Sequence, residues 1–136
     1  RLDSPDPQTQ IAAALAWLGW EDNAATLVHD VEAVSDADPL DTLAKARIEA
    51  HYFRHNAFLE HGQLLRGVDR IRHLPGVIVQ GRYDIICPAR SAWDLACAWP
   101  EARLEMVLSG HSATEPATTD ALVRATDAFA DRSAHL

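Results

Sequence analysis

The run VIVQG at residues 77–81, short, β-branched, apolar and ended by glycine, decides the fold of this 136-residue sequence. Such a run is typical of a buried parallel strand, and Pro75 and Gly76 before it mark a change in the rhythm of the chain. A segment with helical spacing follows at residues 88–99, then a second strand candidate at 103–108 and a last helix at about 119–129. This alternation predicts an α/β sheet with crossover connections.

The residues before Pro75 have a different character. Between residues 7 and 72 the apolar residues recur at helical spacing, and no window alternates as a half-buried strand does. We predict helices at about 8–20, at 22–34, from Pro39 onward and at 63–72, the third with an apolar stripe at Leu40, Leu43, Ala46, Ala50 and Phe53. The predicted organisation is a helical segment, residues 1–73, followed by strands and helices at 74–136.

Composition excludes several classes of function. The formal net charge of −8, from 20 acidic and 12 basic residues, repels nucleic acid and anionic lipid surfaces. The sequence holds no apolar run of the roughly 20 residues that cross a bilayer. Cys87 and Cys97 lack the spacing of a disulfide framework or a zinc site, which favours a reducing, cytoplasmic setting. His51 and His55 lack the HExxH context, so no metal is expected.

Two reactive side chains follow the two strand candidates. Asp84 comes after the first strand in VIVQGRYD, and His111 comes after the second in EMVLSGHS. Because reactive groups of parallel sheets sit beyond the carboxyl ends of strands, an acid and an imidazole are expected side by side. A carboxylate that orients an imidazole is the acid and base pair of a serine hydrolase, and acid before base is the α/β-hydrolase order.

The sequence lacks the nucleophile that such a pair serves. None of its serines lies in a GxSxG turn, and Ser112, next to the base, has no strand-to-helix elbow before it. The nucleophile is therefore expected upstream of Arg1, which is not a methionine. Two strands are also too few for a sheet of their own, so partner strands are expected outside this sequence.

Four segments carry a resemblance to a known family: AWLGWED at 16–22, ARIEAHYF at 46–53, GVIVQGRYD at 76–84 and SGHSATEP at 109–116. They closely resemble the carboxy-terminal portion of bacterial proline iminopeptidases, which are α/β-hydrolase serine peptidases, and the resemblance covers nearly the whole chain. It implies that residues 1–73 are a helical cap and 74–136 the end of the α/β-hydrolase core. It also implies that Asp84 is the catalytic acid and His111 the catalytic base, with no cofactor.

The resemblance also implies a substrate. Glu21 and Glu49 correspond to the family's glutamates that bind the free amino-terminal nitrogen of a proline peptide, a cation that favours anionic partners. The alternative for both Glu21 and Glu49 is that they are solvent-exposed charges on helix surfaces, as most glutamates are. The chain departs from the family pattern at Asp22, where glycine is usual, and at Thr114, where an aromatic residue is usual. It also departs at His55-Asn56-Ala57, where small residues or glycine are expected.

Other interpretations stay open at this stage. The same fold and acid–base pair could serve another α/β-hydrolase, an esterase or an amidase, because these proteins diverge mainly in the cap. The chain could also be a non-catalytic fragment that associates with the missing amino-terminal half or with a second copy through an open strand edge. Tyr52, Phe53 and Phe58 near Glu49 could line a proline pocket, although aromatic residues at helical spacing favour a core position.

Overall fold

The computed structural model describes residues 1–28 and 38–133. The chain divides into two units: Arg1–Asn23 with Val28–His61, and Ala24–Leu27 with Gly62–Leu136. The helices are α1 (Pro7–Ala25), α2 (Pro39–Arg54), α3 (Gln63–Arg66), α4 (Ala89–Ala98) and α5 (Pro116–Ser133), and the strands are β1 (Gly76–Gly81) and β2 (Ala102–Val107). No helix in these ranges is both long and apolar enough to cross a membrane. The predicted boundary between residues 73 and 74 stays a prediction about the domains of the protein.

Helix α1 is longer than predicted. Asp6 caps its start, because the carboxylate accepts hydrogen bonds from the backbone nitrogens of Gln8 and Thr9 at 3.2 and 3.0 Å. The predicted break near residue 21 is wrong, since the helix continues to Ala25. A lone Gly19 costs a helix only about 1 kcal/mol, and no proline interrupts the segment. Most of the predicted second helix, residues 29–34, lies outside the described residues.

Helix α2 begins where the sequence predicts. Asp38 Oδ1 accepts a hydrogen bond from Leu40 N at 2.7 Å, and Pro39 takes the first helical position. Leu43 and Ala46 of the predicted stripe are buried against Ala14.

The outer members of that stripe and its aromatic neighbours are not in the core. Leu40, Tyr52, Phe53 and Phe58 are all exposed, with Phe53 at 67% of its surface. The core prediction for these aromatic residues is therefore wrong. The core cluster of the first unit centres on two alanines and one leucine, and helical spacing gives more apolar positions than this small core can bury.

The second unit contains a parallel two-stranded sheet, as predicted. Strands β1 and β2 pair in register from Gly76 opposite Ala102 to Gly81 opposite Val107, and α4 is the helix of the crossover between them. The predicted helix at 63–72 is interrupted at Gly67, where α3 ends before a short turn at Val68–Arg70. Both strands end at the same edge of the sheet, so the loops that follow them lie together.

Candidate active site

Asp84 and His111 lie beyond the carboxyl ends of the two strands. The parallel pairing continues into their loops, since Arg82 N donates to Val107 O at 2.9 Å and Tyr83 N donates to Ser109 O at 3.0 Å. These bonds carry the loop after β1 alongside the loop after β2. The predicted acid, Asp84, and the predicted base, His111, therefore lie on two loops that run side by side.

The two side chains are in contact. His111 Nδ1 lies 3.0 Å from Asp84 Oδ2, with the aspartate side chain 6% exposed and the histidine side chain 37% exposed. An ionised carboxylate can only accept hydrogen bonds, so Nδ1 carries the proton and donates it. This tautomer leaves Nε2 as the nitrogen that can take a proton from a nucleophile.

The carboxylate of Asp84 is also held by groups other than the imidazole. Its Oδ1 accepts hydrogen bonds from Ile86 N at 2.9 Å and Cys87 N at 2.7 Å. Gln80 Nε2 approaches Oδ2 at 3.3 Å and also donates to Cys87 O at 3.1 Å. With Oδ1 occupied by the backbone of its own turn, Oδ2 is the oxygen directed at His111.

Two glycines allow the loops to approach this closely. A Cβ atom at Gly81 would lie 1.8 Å from the carbonyl oxygen of Gly110, which no rearrangement of a side chain could relieve. A Cβ atom at Gly110 would lie 2.8 Å from Ala25 O and 2.9 Å from Leu27 N. Three backbone segments therefore meet at the carboxyl edge of the sheet. They are the loop after β1 that carries Asp84 (the acid loop), the loop after β2 that carries His111 (the base loop) and residues 25–27.

Residues 25–27 and Glu115 contribute to the site and were not singled out in the sequence. His111 N and Ser112 N both donate to Ala25 O, at 2.7 and 2.8 Å. Glu115 accepts hydrogen bonds from Gly110 N at 2.6 Å and from Leu27 N at 3.0 Å. The signal for Glu115 is its place in the GHSATEP motif just before α5, but its partner Leu27 is 88 positions away in the sequence.

Two side chains beside the acid and the base are alternatives to a nucleophile outside this chain. The Ser112 hydroxyl is already hydrogen-bonded, and the Cys87 thiol is weakly reactive. Ser112, beside the base, has its Oγ 2.8 Å from Thr114 Oγ1 and accepts from Thr114 N at 3.2 Å. Thr114 thus forms a polar turn with this serine. Desolvation, and secondly the negative charge of Asp84, raise the pKa of the exposed Cys87 thiol, which therefore stays protonated at neutral pH.

Glu21 and Glu49 lie in the first unit, on α1 and α2. Glu49 Oε2 accepts a hydrogen bond from Trp17 Nε1 at 2.9 Å, and the Trp17 and Phe53 rings lie 6.1 Å apart. Glu21 is one helical turn beyond Trp17, on the same face of α1. Glu49 is therefore a carboxylate with exposed aromatic neighbours, a surrounding suited to an organic cation.

Metal ligation has no candidate in the described parts of the chain. No group of three or more histidine, cysteine, aspartate or glutamate side chains in residues 1–28 and 38–133 is placed to hold an ion. Among the neighbouring histidines of the first unit, His55 Nδ1 lies 2.7 Å from the backbone oxygen of His51.

An acid followed by a base, at the ends of neighbouring parallel strands, is the arrangement of the α/β-hydrolases. The described fold is that of the carboxy-terminal portion of such a protein. No family model matches the chain. The chain is, however, homologous to proteins named proline iminopeptidase, and the similarity runs along nearly all of its length.

Three relatives define this similarity. The proline iminopeptidase of Xanthomonas citri is 53% identical over 133 residues, 96% of this chain and 42% of the relative. The Arabidopsis thaliana protein of that name is 50% identical over 93% of this chain and 34% of its own length. The Neisseria gonorrhoeae protein is 43% identical over 90% of this chain and 39% of its own length. The chain thus spans between about a third and two-fifths of the length of these curated relatives.

Proposed function

We propose that this chain supplies the acid and the base of a proline iminopeptidase, a serine peptidase that removes an amino-terminal proline from peptides. The observation that carries the proposal is the 3.0 Å contact between Asp84 Oδ2 and His111 Nδ1. The substrate class is supported by the name of the relatives, the first of which is 53% identical. The resemblance of the residues around Glu21 and Glu49 to the family's amine-binding motifs points the same way.

The proposed reaction passes through an acyl-enzyme. A serine outside these 136 residues attacks the carbonyl carbon of the proline residue while His111 Nε2 takes its proton. Asp84 keeps the imidazole in the reactive tautomer and stabilises the imidazolium that forms. His111 then gives the proton to the leaving amine, and a water molecule, activated by the same nitrogen, releases proline from the serine. The acid and base return to their starting protonation states.

In this proposal Glu21 and Glu49 bind the protonated secondary amine of the substrate. The Trp17 N–H bonded to Oε2 of Glu49 leaves Oε1 for a charge-assisted hydrogen bond to that amine. Phe53 offers an apolar face beside the same carboxylate for the proline ring. A blocked amino terminus carries no charge there and loses the interaction, which makes the enzyme an aminopeptidase.

The decisive experiment measures turnover of a proline anilide by the full-length protein that contains this chain. We expect His111→Ala to lower kcat by roughly 10⁴-fold or more, because the proton acceptor is removed. His73→Ala, an exposed histidine before β1, is the matched control and should keep the wild-type rate. Wild-type turnover by the His111 variant would refute the proposed function.

Substrate specificity is tested with free and acetylated proline anilides. We expect Glu49→Gln to raise KM for the free amine by roughly tenfold to a hundredfold, the value of a hydrogen bond to a charged group. Glu101→Gln, whose carboxylate pairs with Arg72 at 2.7 Å, is the control. If Glu21 and Glu49 variants keep full activity and acetylated substrates are cleaved, the protein is another α/β-hydrolase, an esterase or an amidase.

We also propose that the isolated chain associates rather than hydrolyses. Among the described residues β1 and β2 pair with each other alone, and two strands are marginal as an independent sheet. An open strand edge is a template for pairing with the rest of the protein or with a second copy. Sizing chromatography of residues 1–136 should show a multimer, or a complex when the remaining part is added. A folded, inert monomer would contradict this proposal.

We place the protein in the cytoplasm. The support is that Cys87 and Cys97 are both free in the structure, as reduced thiols in that compartment are. Cell fractionation with a carboxy-terminal tag tests the proposal. Recovery of the protein in the soluble cytoplasmic fraction is the expected result, and recovery in a secreted fraction would contradict it.

A further inference from the structure

Glu115 joins two backbone segments that are far apart in the sequence. Its Oε1 accepts from Gly110 N at 2.6 Å, and its Oε2 accepts from Leu27 N at 3.0 Å. The side chain is partly buried, and it stands directly before Pro116, where α5 begins. We call these two hydrogen bonds the Glu115 bridge. A carboxylate that uses both oxygens on backbone amides is held in one position.

The same two segments are also bonded directly. Ala25 O accepts from His111 N at 2.7 Å and from Ser112 N at 2.8 Å. The base loop is thus tied to residues 25–27 by two direct hydrogen bonds and by the Glu115 bridge. Gly110 lies close to the same segment, since a Cβ atom at this position would be 2.8 Å from Ala25 O.

The position of this loop determines where the imidazole lies. Among the residues that the structure describes, the side chain of His111 has one hydrogen bond, to Asp84 through Nδ1. That bond allows the ring to pivot about Oδ2, so the location of the His111 backbone decides where Nε2 points. A displacement of about 1 Å at a reacting group can lower a rate roughly a hundredfold. Holding the backbone of residues 110–112 is therefore a requirement of the chemistry.

We propose that Glu115 is a positioning residue of the hydrolase site, which holds the base loop on residues 25–27 so that His111 Nε2 stays in line with the nucleophile. This proposal rests on the proposed function. Glu115 touches neither substrate nor reacting atoms and acts through the Gly110 and Leu27 amides. Its removal lowers kcat, because the bridge holds the loop that carries His111.

The test compares Glu115→Gln and Glu115→Ala with wild type in the full-length protein, using the proline anilide. Glutamine keeps one acceptor oxygen and presents an NH₂ group to the second amide, so one of the two hydrogen bonds is lost. Alanine loses both. We expect kcat to fall roughly tenfold in the glutamine variant and roughly a hundredfold in the alanine variant, with KM within twofold of wild type. Glu101→Gln is the matched carboxylate control.

A second measurement does not depend on activity. Amide hydrogen exchange of peptides covering residues 25–27 and 110–112 should be slow in wild type and at least tenfold faster in both variants. If Glu115→Ala does not fold, the near-isosteric glutamine variant decides. Unchanged kcat per folded molecule, or unchanged exchange in a folded variant, would overturn the proposal. If wild type fails to cleave the anilide, the proposed function is wrong, and the exchange data still decide whether the bridge holds the loop.

Discussion

The carboxylates of Asp84 and Glu49 show two ways of holding an acidic side chain in one molecule. The Asp84 side chain is 6% exposed, and it is hydrogen-bonded by the backbone of its own turn, by the Gln80 side chain and by the imidazole. Glu49 lies on a helix surface and receives one indole N–H among exposed aromatic rings. In the proposed function Asp84 serves proton transfer, which needs fixed geometry, and Glu49 serves recognition of a cation, which needs charge and access. Asp84 thus combines backbone and side-chain partners, whereas the partner of Glu49 is a side chain.

Of the substitutions that test this difference between the two carboxylates, Asp84→Asn has the largest expected effect. The amide still fits the turn but can present an NH₂ group to His111 Nδ1, which favours the wrong tautomer, so we expect kcat to fall on the order of 10⁴-fold. Turnover of the proline anilide by the full-length protein measures the effect. The control is Asp94→Asn, an aspartate bonded to Arg90 at 2.7 Å on α4, which should stay within twofold of wild type. Equal losses in both variants would contradict the special role of Asp84.

Gly81→Ala tests whether backbone contact holds the Asp84 site. The new Cβ atom would meet Gly110 O at 1.8 Å, so the acid and base loops must separate, at a cost of about 3 kcal/mol in the free energy of unfolding. Gly19→Ala is the control, because a Cβ atom there meets nothing within 4 Å and alanine favours helix α1. Urea denaturation of the full-length protein should separate the two variants. A Gly81 variant as stable as wild type would show that the loops tolerate separation.

Trp17→Phe examines the Glu49 site. The substitution keeps an aromatic ring beside Phe53 but removes the N–H that holds Glu49 Oε2. We expect KM for the proline anilide to rise roughly fivefold with kcat unchanged, since one hydrogen bond to the binding group is lost. Trp93→Phe, at an exposed tryptophan of α4, should leave both parameters unchanged. A fall in kcat with constant KM would show that Trp17 acts on catalysis instead.

The smallest expected effect concerns the turn that follows α2. Asn56, Ala57 and Phe58 all adopt positive φ angles near 50–60°, a left-handed conformation that non-glycine residues rarely hold. Ala57→Gly should therefore raise the free energy of unfolding by about 1 kcal/mol, measured by urea denaturation. The helical control Ala44→Gly should lower it by about the same amount. Loss of stability in the Ala57 variant would show that the contacts of the alanine side chain outweigh the strain of its backbone conformation.

Much of the sheet edge could be predicted from local pattern. The β-branched run before Gly81 indicated a strand, and residues beyond parallel strands share an edge, so Asp84 and His111 were expected to lie together, as the structure places them. The Glu115 bridge could not be predicted, because a hydrogen bond between residues 27 and 115 has no local signature. Exposure of Phe53 was also missed, since helical spacing describes a face without telling how large a core will cover it.

The sequence by itself determined the α/β alternation, the order of acid and base, and the likeness to proline iminopeptidases. These follow from periodicity, turn chemistry and residue identity, all of which are local. The tertiary structure alone decided that Asp84 uses Oδ2 for His111, that two glycines permit backbone contact, and that Glu115 ties the base loop to residues 25–27. Each of these depends on ångström-scale distances between distant segments, which packing fixes and residue order does not record.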